Sequence, residues 1–188
     1  MSLQKPSEAE EEYFAKEEAR LRLGLKAKYV RSAAEEERCL AVAKKVGTDN
    51  AEVGEALVEL GFSPEDVSIL PLVPMLEVAW ADGSMSYKES TLILDTARKR
   101  GLDATTPAYQ RLKALTEEQP EASFFEGANR IYAELLHGGE RAAEKADTLT
   151  LMKAVAGVSG GFFGLTSAVS DEEESVMTNL VKELSLSH

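Results

Sequence analysis

Hydrophobic residues recur every three or four positions along almost the whole chain, which is the spacing of amphipathic helices. Gly, Ser, Thr and Pro fall between these segments, where helices are expected to start and stop. No stretch alternates apolar and polar residues with β-branched enrichment, so no strand is predicted. The pattern therefore predicts an all-α protein, a bundle of about eight or nine helices.

Capping residues set the predicted boundaries of the helices in the first half of the chain. Thr48 or Asp49 is expected to cap one helix. Residues 63–65 (Ser-Pro-Glu) combine an N-cap residue, a first-turn proline and an acid, and so predict the start of a short helix. Residues 72–80 are apolar on nearly all sides, which is typical of a central, buried helix.

Two segments, residues 71–101 and 149–186, share one plan. Each has an apolar helix, a loop with glycine, a capping box and an amphipathic helix. The capping boxes are Ser86 with Glu89, and Ser170 with Glu173. This internally duplicated helix–loop–helix predicts two hairpins that pack together in a pseudo-symmetric bundle.

The N-terminal part of the chain has a different character. Residues 7–31 place acids first and bases second, an order that complements the helix dipole at both ends. Their apolar stripe is narrow, so this helix either extends as an arm or docks on another surface. We predict a charged helical appendage at residues 1–47 and a helical body at residues 48–188.

Composition narrows the functional classes. The net charge is −12, and residues 48–188 hold 24 acids and 11 bases, a net of −13. Such a body repels phosphate backbones and attracts cations or a basic partner, so nucleic-acid binding is not expected. One cysteine, no signal-peptide pattern and no apolar run that spans a membrane predict a cytoplasmic protein without membrane insertion. The oligomeric state stays open.

Residues 78–89, V-A-W-A-D-G-S-M-S-Y-K-E, resemble the motif of the TerB-like family of tellurite-resistance proteins. That motif is an apolar helix ending in Ala-Asp-Gly, a short turn, and a Glu on the following helix. The S-G-G-F-F-G loop at 159–164 and the later V-S-D-E-E resemble the C-terminal half of the family. The resemblance covers roughly residues 50–186 and implies an all-α, stress-associated protein whose acidic loop residues bind metal.

Residue by residue, the resemblance implies a metal site at Asp82, Glu89 and Glu173, and the divalent cation would be Ca²⁺ or Mg²⁺. The second loop departs from the family because it has no Asp that matches Asp82. The residues themselves leave a second interpretation open. An Asp before Gly is common in turns, and each Glu completes a capping box without any metal.

The resulting functional hypothesis is a non-enzymatic, stress-associated protein that binds divalent cations. The alternative is a protein–protein interaction module whose N-terminal amphipathic helix docks on a partner. A metal-assisted hydrolase is disfavoured, because no His or Cys ligand set accompanies the acids. The chain shows no nucleophile–base pair, zinc-ligand spacing or cofactor fingerprint, and the glycine loop lacks the Gly-Lys-Ser/Thr of a phosphate loop.

Overall fold

The computed structural model describes residues 16, 20, 22, 30, 32–137, 142–159 and 170–184. Within those residues the regular structure is helical and contains no strand, which confirms the predicted all-α bundle. Residues 32–45 lie in helix α1. The later elements are α2 (Ala51–Glu59), a 3₁₀ helix (Val67–Leu72), α3 (Val73–Ala79), α4 (Tyr87–Lys99), α5 (Pro107–Glu117), α6 (Ala122–His137), α7 (Ala142–Ser159) and α8 (Asp171–Glu183).

Helix α3 occupies the centre of the bundle and packs against α4, α6, α7 and α8. Six of its seven residues are buried, and Glu77 is the half-buried exception. The two prolines of this region are placed where their missing N–H groups cost little. Pro71 lies in the short 3₁₀ helix and Pro74 in the first turn of α3. The prediction of a central, buried apolar helix is confirmed.

The duplicated segments form two hairpins, α3–α4 and α7–α8, that pack against each other. The pair α3 and α7 makes the most extensive contact between helices, and α3 also meets α8 while α4 meets α7. Both predicted capping boxes are present at the starts of α4 and α8. The second helix of each hairpin therefore begins with the same local hydrogen bonds.

The cap of α2 differs from the prediction. Asn50, rather than Thr48 or Asp49, is the N-cap residue, and its Oδ1 accepts from Glu52 N at 3.0 Å. Thr48 Oγ1 instead accepts from Asn50 N at 3.1 Å. Thr48, Asp49 and Asn50 are all residue types that can cap a helix. The hydroxyl of Thr48 instead holds the backbone of Asn50 in place.

The short helix predicted to start at residues 63–65 is present, but it begins later than predicted. Residues 64–66 form a turn, and the 3₁₀ helix begins at Val67. Asp66, rather than Ser63, is the N-cap residue of this helix. The backbone N–H of Ser63 donates to Asp66 Oδ1 at 2.8 Å, so the side chain of Asp66 closes the turn.

The chain divides into two compact units, residues 1–38 and 39–188. In the second unit, Val42 of α1 belongs to the hydrophobic core. The predicted charged helix at 7–31 is described at only four positions, each of them helical. The other residues of this predicted helix and the glycine loop at 160–164 lie outside the described residues. Docking of the helix on a partner stays a prediction. Among the described helices, none is long and apolar enough to cross a membrane.

Candidate functional site

Asp82, the first predicted metal ligand, lies exposed in the loop between α3 and α4. Its Oδ1 accepts from Ser84 N at 2.8 Å and from Ser84 Oγ at 2.9 Å. The next residue, Gly83, has a φ of 81°, a conformation that glycine adopts without strain. The carboxylate of Asp82 thus stabilises a tight turn between two helices.

Glu89 and Glu173, the other predicted ligands, are buried, with exposed fractions of 4% and 3%. Ser86 N donates to Glu89 Oε2 at 2.7 Å, and Glu89 N donates to Ser86 Oγ at 3.2 Å. The second box repeats this arrangement, with distances of 2.8 Å and 3.1 Å between Ser170 and Glu173. Each carboxylate therefore accepts from a backbone N–H that the helix itself leaves without a partner.

The described part of the chain contains no group of three or more His, Cys, Asp or Glu residues that could hold a metal ion. The hydrogen bonds described above place Asp82 in a turn and Glu89 and Glu173 in two caps. Metal binding by these three residues is predicted by the TerB-like resemblance alone.

A different carboxylate stands out once the fold is known. Glu77 projects from the central helix α3 into a cavity of about 210 Å³, which we call the Glu77 niche. The niche lies between α3, the α5–α6 connection, α6 and α8. Its lining consists of Glu77, Trp80, Ala81, Gln119, Pro120, Ala122, Phe125, Glu126 and Val176. Two carboxylates and an amide thus share a small space with aromatic and aliphatic groups.

Burial raises the pKa of Glu77 to about 7, and the negative charges of Glu183 and Glu126 contribute to this rise. One hydrogen bond acts in the opposite direction, because Asn129 Nδ2 donates to Glu77 Oε2. Asn129 is only 1% exposed, and its Oδ1 has no hydrogen-bond partner among the described residues. The niche therefore holds a carboxylate whose charge is only partly compensated.

The aromatic walls of the niche are fixed by contacts outside it. Trp80 Nε1 donates to the carbonyl oxygen of Leu115 at 3.0 Å, which ties the indole to α5. Phe125 packs edge-on against Phe124, with ring centroids 5.8 Å apart, and Phe124 stacks on Phe62 at 5.7 Å. The walls are therefore set by the bundle before any ligand enters.

A larger cleft, of about 460 Å³, lies between the end of α1, the 3₁₀ helix, α6 and α7. Its charged lining is balanced, with Lys45 and Arg100 beside Glu144 and Asp147. Arg100 and Asp147 already form an ion pair across the cleft. Burial raises the pKa of Tyr132, whose hydroxyl is hydrogen-bonded to Thr148 Oγ1 at 2.9 Å. Arg100 and Asp147 satisfy each other, and the lining has as many bases as acids, so the cleft has less uncompensated charge than the Glu77 niche.

The sequence pattern did not single out Glu77, because the segment around it is otherwise apolar and no motif includes this residue. A single acid inside a helix that is otherwise buried was the available signal, since an acid is rarely buried without a reason. Asn129, its hydrogen-bond partner, lies 52 residues further along the chain, and no local pattern connects the two. Cys39 is half-buried.

The chain matches no protein-family model, and no curated protein or solved structure shows significant similarity to it. The function is therefore argued from the site alone.

Proposed function

We propose that this protein is a non-enzymatic binding module that recognises a positively charged group, and that the Glu77 niche is its binding site. The observation that supports this proposal is a carboxylate that is half-buried in a cavity with aromatic walls and compensated by one amide. A bound cation would supply the missing positive charge and lower the free energy of the ionised carboxylate.

The composition of the walls narrows the ligand class to organic cations. Trp80 and Phe125 contribute aromatic rings to the lining and Pro120 an apolar surface, while a Ca²⁺ or Mg²⁺ ion takes six or more oxygen ligands. An ammonium group beside aromatic rings gains a cation–π contribution in addition to its attraction to the carboxylate. The niche therefore suits a cation that carries a hydrocarbon part.

The proposal agrees with the charge of the body. Residues 48–188 carry a net charge of −13, which raises the local concentration of cations and speeds their encounter with the surface. A stress-associated role of the kind that the TerB-like resemblance implies remains part of this proposal. The niche contains no nucleophile paired with a base, so recognition fits its residues better than catalysis.

The sole tryptophan provides a direct test, because Trp80 lines the niche. We would titrate the full chain with n-butylammonium and follow the indole N–H signal of Trp80 by NMR. We expect a saturable shift that 1-butanol, a neutral ligand of similar size, does not cause. Glu77→Gln should abolish the shift while keeping the side-chain volume.

The matched control is Glu59→Gln, which removes the same charge from an exposed position on α2 that does not line the niche. Its titration should follow that of the wild type. An unchanged indole signal in the wild type, or a shift that persists in Glu77→Gln, would overturn the proposal.

A further inference from the structure

We infer that the natural occupant of the Glu77 niche is the side chain of a lysine presented by a basic segment of a partner protein. This inference rests on the proposed function and specifies its ligand. Three features of the niche support it: its size, the acceptor geometry of Glu77 and the distribution of charge around the opening.

The size of the niche suits a single side chain. Its volume is about 210 Å³, whereas pockets for drug-sized ligands span about 300–1,000 Å³. The apolar part of the lining, which includes Pro120, Phe125 and Val176, can cover the four methylene groups of a lysine. The polar part holds the carboxylates that would meet the ammonium group.

The hydrogen bonding of Glu77 favours an ammonium over a guanidinium group. Asn129 Nδ2 already donates to Oε2, which leaves Oε1 as the principal open acceptor of this carboxylate. A guanidinium forms its strongest contacts when two parallel N–H groups reach both oxygens of one carboxylate. An ammonium group is a compact charge that can bind a single oxygen. The open Oε1 of Glu77 therefore suits lysine better than arginine.

Charges around the niche favour a basic segment rather than an isolated lysine. Glu126 is exposed on α6 and lines the niche. Val176 lines it from α8. The first turn of that helix contains four acids, and three of them are exposed. A partner with several lysines or arginines would be attracted to this surface and would place one side chain in the niche.

Proton binding and lysine binding compete for the same carboxylate. Glu126 of α6 and Glu183 of α8 are the acids that act on Glu77. Of the other elements packed against α3, the 3₁₀ helix has no charged residue and the buried residues of α7 are uncharged. The one buried charge of α4 is Glu89, in its capping box. Lysine binding should therefore strengthen as the pH rises and Glu77 loses its proton.

The experiment compares four capped pentapeptides of the form Gly-Gly-X-Gly-Gly, in which X is lysine, acetyl-lysine, norleucine or arginine. Each is titrated into the full chain while the indole N–H signal of Trp80 is recorded. We expect saturable binding of the lysine peptide, at least about tenfold tighter than that of the acetyl-lysine and norleucine peptides, since these two lack the charge. The arginine peptide should bind more weakly than the lysine peptide.

The outcomes separate this inference from the proposed function. If n-butylammonium shifts the indole signal and the lysine peptide does not, the niche accepts a free amine and the inference fails alone. If neither ligand binds, both fail. Tighter binding of the arginine peptide, or equal binding of the lysine and acetyl-lysine peptides, would also overturn the inference. A lysine effect that is retained in Glu59→Gln and lost in Glu77→Gln would support both.

Discussion

Glu89 and Glu173 perform the same task in two helices that are far apart in the chain. Each carboxylate accepts a hydrogen bond from the backbone N–H of its N-cap serine, at 2.7 Å for Glu89 and 2.8 Å for Glu173. Both side chains are buried, so truncating either one also removes packed atoms from the bundle. The two hairpins of the bundle therefore depend on the same local interaction.

Truncation of either residue should destabilise the fold. We expect Glu89→Ala and Glu173→Ala each to lower the free energy of unfolding by about 1–2 kcal/mol, because a helix cap and a buried acceptor are lost. Urea denaturation followed by circular dichroism would measure the change. Glu174→Ala, at an exposed position in the same turn as Glu173, is the control and should change stability by less than about 0.5 kcal/mol. Equal losses in all three variants would contradict the capping argument.

Calorimetry distinguishes the caps from the metal site that the TerB-like resemblance implies. The variant Asp82→Asn/Glu89→Gln removes both charges and keeps side chains that can accept the turn and cap hydrogen bonds. Because these carboxylates already act in a turn and a cap, we expect Ca²⁺ and Mg²⁺ titrations to give the same heat for the wild type and the variant. Saturable binding that the variant loses would establish the metal site instead.

Apart from the packing of the two repeated hairpins, the features that the sequence predicted correctly are local. A capping box joins residues three positions apart, so Ser86 with Glu89 could be identified without knowing the fold. The central helix was predictable because nearly every residue of α3 is apolar. The cap of α2 was assigned to the wrong residue, because three successive polar residues could fill that position and only the backbone geometry selects Asn50.

The Glu77 niche could not be predicted, because its parts come together only in the folded bundle. Glu77 is on α3, Gln119 precedes α6, and Val176 is on α8. No periodicity or motif relates these three positions, and the residues between them set the geometry. The lone acid in an apolar run was the one signal in the sequence, and it was overlooked; its cavity and its partner Asn129 required the structure.

The raised pKa of Glu77 makes stability depend on pH. The folded-state pKa of about 7 lies above the ordinary value of 4.5, so the folded protein holds a proton that the unfolded chain has released. The resulting stabilisation is complete below about pH 4.5 and is lost as the pH rises through about 7. Glu77→Gln should remove this part of the pH dependence.

At about pH 8 the Glu77→Gln variant should be more stable than the wild type by about 1–2 kcal/mol, because the wild type then buries a charged carboxylate. Solvent screens part of this charge, since Glu77 is only half-buried. At about pH 4 the two proteins should unfold with similar free energies, since Glu77 is then largely neutral in both states. Denaturation curves at several pH values would measure the difference. A constant difference across the pH range would show that Glu77 titrates normally.

Arg111 connects α5 to the segment between α2 and the 3₁₀ helix. Its guanidinium carbon lies 4.6 Å from the ring centroid of Phe62, and Nη1 donates to Asp66 Oδ2 at 3.1 Å and to the carbonyl oxygen of Gly61. Lysine has no planar group that can stack on Phe62, and its single ammonium lacks the several N–H donors of a guanidinium. Arg111→Lys should therefore lower the free energy of unfolding by about 1–2 kcal/mol.

The comparison for Arg111 is an exposed ion pair on the same helix. Lys113 Nζ lies 3.5 Å from Glu117 Oε1, and both side chains are at least half exposed. Lys113→Ala should change stability by less than about 0.5 kcal/mol, because solvent screens such a pair. Thermal unfolding of both variants measures the difference. Similar losses of stability in the two variants would show that the planar contacts of Arg111 do not stabilise the fold.

Two helical glycines should respond to alanine in opposite directions. A Cβ on Gly54 of α2 would overlap the backbone carbonyl oxygen of Cys39, which cannot rotate away. A Cβ on Gly157 of α7 would meet nothing within 4 Å among the described residues. Alanine is the better helix former by up to about 1 kcal/mol, so Gly157→Ala should raise the free energy of unfolding by a similar amount.

Gly54→Ala should instead lower the free energy of unfolding by about 2 kcal/mol or more, because α1 and α2 must separate to accept the methyl group. Urea denaturation of the two single variants measures both effects against the same wild type. Stabilisation by both substitutions would mean that the approach of α2 to Cys39 is not a tight contact in solution. The opposite signs are the decisive result, since helix propensity alone favours alanine at both positions.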